Sequence, residues 1–334
     1  GVTVGIVHTG QHYTAEMDEI FFQELNLPAP IAHVHVGSHT PARQIGIMIQ
    51  RLEEVLQELK PRTILVEGDT NSVLAGALTA HKMGLPIAHL EAGLRSDDWS
   101  MPEEANRILA DRLSKWLFCP TEVQRERLRQ EGIVHNDVHV VGNTIVDAAL
   151  HYSKVAYEKS DIAERLGIAN RPYVLLTMHR PSNVDDTERL QAWITSITEA
   201  SRALNLRVVF PIHPRTKVQL DQAKIKIDED VFHAIEPVGY LDLLRLQASA
   251  ELVLTDSGGV QEEACILRVP CITLRANTER PETVHVGANV LHNHPDKDAL
   301  EVVMRAAIGR PRQWHNPFGD GKTGERVMDI LQKE

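Results

Sequence analysis

The 334-residue chain lacks several features that would place it in a class quickly. It has only three cysteines, Cys119, Cys265 and Cys271, with no C-x-x-C pair, which excludes a disulfide scaffold and fits buried thiols in a reducing cytoplasm. It lacks basic excess: 35 Lys and Arg stand against 46 Asp and Glu, a net charge of -11, so a nucleic-acid partner is not expected. No apolar run approaches the roughly 20 residues that span a bilayer, and no signal peptide is visible, so no membrane association is expected. No G-x-G-x-x-G follows a strand-like run and there is no Walker P-loop, which removes the positive signs of NAD or of a nucleotide triphosphate. Seventeen histidines make chance placement easy and no H-E-x-x-H occurs, so no structural metal and no cofactor are expected.

What is present is ordinary globular material, 43% hydrophobic and 24% charged, long enough for two domains with their own cores. Apolar strand-like runs alternate with helical patterns. The strands expected in the first half are Val2–His8, Thr63–Glu67, Ile87–Leu90, Trp116–Cys119 and Val138–Val141. Those in the second are Tyr173–Thr177, Arg207–Pro211, Leu252–Thr255, Cys271–Leu274 and Ala288–Leu291. Helical patterns at Arg43–Leu59, Ser72–Lys82, Pro102–Leu113 and Glu122–Gln130 lie between the first set. Such alternation predicts an α/β protein of two Rossmann-like domains with parallel sheets. The expected division is 1–142 and 143–322, with a short amphipathic helix in 323–334 able to pack back on the first domain.

Two constellations carry chemistry. Val66-Glu67-Gly68-Asp69 and His89-Leu90-Glu91-Ala92-Gly93 each end a strand in an acid and a glycine, within one βαβ unit. Asp69 and Glu91 therefore belong at the carboxyl ends of neighbouring strands, where open α/β sheets bind ligands. Taken alone, Asp69 reads as a helix N-cap. Glu103 and Glu104 open the next helix, where a carboxylate also suits the positive helix end. The second constellation is Leu252 to Ala264, a strand running into Ser257-Gly258-Gly259 and a helix. Glycines without Cβ and free helix N–H groups suit a phosphate, and the bland alternative is a tight turn capped by Ser257. Glu262 and Glu263 beside it repel an anion unless one turns to ribose hydroxyls. His179, Arg180, His213, Arg215, Arg275 and Arg280 follow other strand ends, and several cations on one face suit a diphosphate.

These segments occur in order with Gly10-Gln11-His12-Tyr13, Met101 to Arg107, Val141-Gly142-Asn143-Thr144, Thr177 to Arg180 and Thr278 to Glu282. Together they resemble the non-hydrolysing UDP-N-acetylglucosamine 2-epimerase family over essentially the whole chain. The resemblance implies a glycosyltransferase-B-like fold, a homodimer, and an active site in the interdomain cleft. It implies interconversion of UDP-N-acetylglucosamine and UDP-N-acetylmannosamine for surface polysaccharides. By matched position Asp69, Glu91 and Glu103 resemble the catalytic carboxylates, with His179 beside them. His179, Ser257, Gly258, Gly259, Glu263 and Arg280 resemble the residues that hold UDP, and Gln11 and His12 those of a regulatory nucleotide site. Against the family pattern the chain opens at what reads as the second strand, so a first strand with its Gly-Thr-Arg-Pro-Glu loop is expected to be absent from this sequence. Pro181-Ser182-Asn183 stands where the family has a Glu-Asn pair. The Ser96–Met101 loop resembles the branch that also holds epimerases of UDP-2,3-diacetamido-glucuronic acid. A hydrolysing epimerase, a glycosyltransferase and a non-catalytic sugar-nucleotide sensor are the competing readings.

Overall fold

The structure, a computed structural model, describes residues 3–11, 21–134, 137–169 and 171–333. Every strand pair among them is parallel, as the alternation requires. The chain divides into two compact units, Gly1–Asp147 with Phe318–Glu334, and Ala148–Pro317. The division falls inside the helix Thr144–Lys159. Among the described residues no helix is long and apolar enough to cross a membrane.

Unit 1 holds β1 (Val7–His8), β2 (Ala32–His33), β3 (Ile64–Glu67), β4 (Ile87–Leu90), β5 (Trp116–Cys119) and β6 (Asp137–Val140). β1 pairs with β2, and β3 to β6 form a separate sheet in sequence order. The helix Pro41–Leu59 buries Gln44, Met48, Leu52 and Leu56, a single stripe at four-residue spacing, under a Pro at its first turn. Val34 and Val36 after β2 pack against Met48 and Leu52. β4 and β5 are buried along their whole length, whereas Leu65 of β3 is 44% exposed. The C-terminal helix Thr323–Gln332 lays Val327, Ile330 and Leu331 on Ala88, Leu90, Trp116 and Phe118. Asp147 accepts hydrogen bonds from the backbone N–H groups of Thr323 (3.1 Å) and Gly324 (2.9 Å), so the start of that helix is already filled by a carboxylate.

Unit 2 holds β7 (Tyr173–Thr177), β8 (Arg207–Pro211), β9 (Phe232–Ile235), β10 (Leu252–Thr255), β11 (Cys271–Thr273) and β12 (Asn289–Leu291). They form one sheet in the order β12-β11-β10-β7-β8-β9. Counted within the unit this is the doubly wound order 3-2-1-4-5-6, whose switch point lies between β7 and β10. Side chains alternate faces, as the two-residue period of a strand demands. Val174, Leu176, Val208, Phe210, Leu252 and Leu254 pack on one face with Trp193, Ile197, Leu300 and Met304. Tyr173, Leu175, Val209 and Val253 pack on the other with Ile162, Leu246 and Ala264. The three cysteines are free and buried, and burial pushes the Cys265 thiol up to about 12.

Two strands escape a reading by apolar runs. β2 and β9 are short and half-exposed, and each carries a histidine, so neither reads as a buried strand.

Candidate active site

β3 and β4 are hydrogen-bonded neighbours with Glu67 opposite Leu90, which places the Gly68-Asp69 and Glu91-Ala92-Gly93 turns side by side at their carboxyl ends. Asp69 is not the cap of the following helix. Thr70 takes that role and accepts from the Val73 N–H at 3.4 Å, which corrects the single-residue reading of Asp69. Asp69 instead pairs through Oδ2 with the Arg107 guanidinium at 2.5 Å, and its carbonyl accepts from Asn106 at 2.8 Å. Glu91 has the left-handed φ of +64°, a backbone state that a non-glycine residue adopts at a cost of about 1 kcal/mol or more. Its Oε1 accepts from Asn143 Nδ2 at 3.1 Å.

The two acids that open helix Pro102–Leu113 differ. Glu104 is buried and accepts from Ser96 N (2.9 Å), Ser96 Oγ (2.7 Å), Asp97 N (3.2 Å) and Arg107 Nη1 (2.9 Å). Burial alone would raise its carboxyl, but the Ser96 donors and Arg107 outweigh it and hold the pKa below the usual range. Glu103 is half-buried and makes no hydrogen bond or ion pair among the described residues. So Glu104 is tied inward and Glu103 keeps its carboxylate available.

In unit 2 the centre is Asp256, fully buried at the end of β10. Its oxygens accept from the backbone N–H groups of His179 (3.1 Å) and Arg180 (3.0 Å), from Asn183 Nδ2 (3.1 Å), and face His179 Nδ1 at 3.1 Å. Desolvation opposes the charge, but these donors prevail and keep the carboxyl low. Asn183 also donates to the Leu274 carbonyl, so three strand-end turns are joined. The Pro181-Ser182-Asn183 variation thus supplies a structural amide. His179 and His213 rings lie 5.3 Å apart. His213 Nδ1 accepts from the Arg215 N–H, and burial together with His179 lowers its pKa. Arg180 pairs with no carboxylate among the described residues, while Arg215 is taken by Asp185.

The helix Gly258–Ile266 begins at Ser257 with no side-chain cap, so the alternative of a Ser257-capped turn does not hold. The clash of acids inside this helix is resolved within the unit. Glu262 pairs with Arg280 (2.8 Å). Glu263 is buried, accepts from Gln247 (2.7 Å), and has a pKa raised chiefly by burial. Arg275 donates to both oxygens of Glu279 (3.0 and 2.7 Å). Gln11 lies in unit 1, its Oε1 accepting from Ser72 N (3.0 Å) and Oγ (2.7 Å) at a helix start. His12 lies outside the described residues.

Two parallel α/β units, one with paired acids at its strand ends and one with an uncapped glycine helix start, fit the glycosyltransferase-B-like architecture of the solved UDP-GlcNAc 2-epimerases that superimpose on the chain. The sequence profile of the UDP-N-acetylglucosamine 2-epimerase family matches residues 1–332, and the chain belongs to that family. It is 50% identical over 332 residues to the UDP-N-acetylglucosamine 2-epimerase of Methanocaldococcus jannaschii, covering 98% of this chain and 90% of that protein. The crystal structure of M. jannaschii UDP-GlcNAc 2-epimerase in complex with UDP-GlcNAc and UDP superimposes with a TM-score of 0.90 at 49% identity, covering 99% of this chain and 92% of that one. A second relative, 41% identical over 334 residues, is the UDP-2,3-diacetamido-2,3-dideoxy-D-glucuronate 2-epimerase of Pseudomonas aeruginosa, with 98% of this chain and 91% of that protein covered.

His89, Asp111 and Arg95 form a buried ionic network under the acid turns that the strand-end motifs alone do not reveal. The available signal was the spacing of Glu104, Arg107 and Asp111, one inward polar stripe on a helix.

Proposed function

We propose that this enzyme epimerises C2 of UDP-N-acetylglucosamine to give UDP-N-acetylmannosamine, a precursor for surface polysaccharide, acting in the cytoplasm as a homodimer. The observation that carries the reading is the pairing of Asp69 and Glu91 on neighbouring strand ends in a member of this family.

The C2–H bond of the ring sugar is not next to a carbonyl, so its direct ionisation is very hard. Elimination avoids this. A carboxylate takes the C2 proton, the C–H electrons form the C1=C2 bond, and the C1–O bond breaks with its pair leaving on UDP. Return of a proton to the other face of C2 and attack of the UDP oxygen on C1 completes the epimerisation. Asp69, Glu91 and Glu103 supply the acid and base groups. His179, Arg180, His213 and Arg280 with the Ser257-Gly258-Gly259 helix start stabilise the departing diphosphate, and Glu263 meets the ribose. A protein dipole and a few cations suffice for a dianion even at a net charge of -11.

The reaction in heavy water with UDP-N-acetylglucosamine is expected to place deuterium at C2 of the product. Its absence would sink the mechanism. Asp69→Asn is expected to keep UDP binding and lose turnover by roughly 100-fold or more. Near-normal turnover would remove Asp69 from the machinery. The Pseudomonas relative motivates one competing substrate, and parallel assay with UDP-2,3-diacetamido-glucuronic acid separates the two.

A further inference from the structure

His89 of β4 is fully buried and lies under both acid-bearing turns. Its Nδ1 is 2.7 Å from Asp111 Oδ1, and its Nε2 is 2.9 Å from the Gly68 carbonyl oxygen. A neutral imidazole has one donor and one acceptor nitrogen. Here both nitrogens face oxygens, so both must donate unless Asp111 carries the proton. Asp111 Oδ2 meets the Arg95 guanidinium at 2.7 Å and the Gly93 N–H at 3.2 Å, contacts that suit a carboxylate. The proton therefore belongs on the ring, and His89 is an imidazolium.

The positions of these contacts matter as much as their charge. Gly68 directly precedes Asp69, and Gly93 follows Glu91 by two residues. One end of the His89–Asp111 pair holds the first turn by its carbonyl, and the other end holds the second turn by its N–H. We propose that His89 is a positioning residue, whose charged pair with Asp111 fixes the Asp69 and Glu91 turns relative to each other for proton transfer. This rests on the reading of Asp69 and Glu91 as the reacting acids.

Around the ring stand Asp111 from helix Pro102–Leu113, Glu67 at the end of β3, Glu91 beyond β4, and Arg95, itself shared with Glu131 at 2.8 Å. Burial pushes the imidazole towards neutrality. Asp111, the Gly68 carbonyl and Glu91 outweigh that and leave its pKa above the ordinary histidine value. Deprotonation would leave one ring nitrogen facing an oxygen lone pair to lone pair, and one turn would lose its anchor. Turnover should then fall at alkaline pH while UDP binding, which uses groups of unit 2, persists.

The test uses the full chain with UDP-N-acetylglucosamine. His89→Gln keeps one donor but carries no charge. It is expected to lower kcat about tenfold or more, since small misplacements of reacting groups are costly. KM and UDP affinity should stay within about twofold, and the alkaline limb of the kcat profile, present in the unaltered enzyme, should disappear. In parallel, nitrogen NMR of the unaltered enzyme with labelled histidine should show a ring still doubly protonated at pH 8 whose N–H protons exchange slowly. If His89→Gln does not fold, that spectrum decides alone. A normal kcat with the same pH profile overturns the proposal, as does the absence of such a ring at pH 8. The failure of the parent reading looks different: Asp69→Asn and Glu91→Gln would then turn over normally whatever His89 does.

Discussion

Among the described residues each unit buries one aspartate completely beneath its strand-end turns, and the two are satisfied in different ways. Asp256 in unit 2 is held mostly by backbone N–H groups and an amide, with His179 as the ionisable side chain in contact with it. Asp111 in unit 1 is held by Arg95 and His89, with one backbone N–H. Satisfying a carboxylate with N–H dipoles leaves formal cations such as Arg180 unspent at the turn surface. Satisfying it with cations spends them below the turns and leaves acids above. The two arrangements therefore produce opposite surfaces from the same buried residue type, one that leaves a cation at its turns and one that leaves acids there.

The strongest way to break this comparison is to remove the same charge from both places. Asp111→Asn keeps an oxygen for Arg95 and the Gly93 N–H but removes the negative charge that faces two buried cations, and its NH2 finds an acceptor at His89 only if that ring gives up its proton. A cost of about 3–5 kcal/mol in urea unfolding is expected. Asp256→Asn keeps an oxygen for the backbone donors, and its NH2 can be accepted by a neutral His179 ring. About 1–3 kcal/mol is expected there, with UDP binding weakened. A larger loss at Asp256 would mean that the N–H dipoles, not the ion pairs, are the costlier partners to strand.

These differences bear on what could be read from the residues alone. Three strands of unit 2, Tyr173–Thr177, Arg207–Pro211 and Leu252–Thr255, are largely apolar runs buried along most of their length, and they match the structure residue for residue. Asp69 and Glu91 were legible as strand-end acids because Gly68 directly precedes the first and Gly93 follows the second by two residues. Thr70 as the cap was hidden, since an Asp-Thr pair offers two capping side chains and only backbone geometry chooses between them. The Asp111 network was hidden for another reason. A charged residue late in an amphipathic helix reads as solvated, and its burial is set by His89 and Arg95, which are 22 and 16 positions earlier.

The comparison also pairs groups that lose their contribution at opposite ends of the pH scale. Glu279 in unit 2 sits with Arg275. Burial opposes its ionisation, but the guanidinium prevails and holds it to about 2, below the ordinary glutamate value of 4.5. A depressed folded pKa gives stability that is present above 4.5 and lost as pH falls towards 2, on the order of 2–3 kcal/mol for a buried pair. His89 has the opposite sign: its raised pKa gives stability present below the ordinary histidine value and lost as pH rises through the folded one. Urea titrations at intervals from pH 5 to 2.5 should show a steeper loss for the unaltered protein than for Glu279→Gln. Equal slopes would show that the Arg275 pair contributes nothing to folding.

The smallest expected effect on folding is the most discriminating for function, and it concerns glycine. In unit 1 a Cβ on Gly93 would stand 2.5 Å from the Gln124 carbonyl oxygen, and the residue has a φ of +81°, so the fold itself requires glycine there. In unit 2 a Cβ on Gly258 would meet only Glu279 Oε2 at 3.9 Å, an ordinary contact, and its φ is not left-handed. Nothing among the described residues needs Gly258 to lack a side chain. A diphosphate approaching the uncapped helix start would need it. Gly258→Ala should therefore leave stability unchanged or raise it by up to about 1 kcal/mol, because alanine is the better helix former. UDP affinity, read by calorimetry, should fall by about tenfold or more as the new methyl group enters the path of the phosphates. Unaltered UDP affinity in a stable variant would move the phosphates away from this helix and leave Gly258 without a reason.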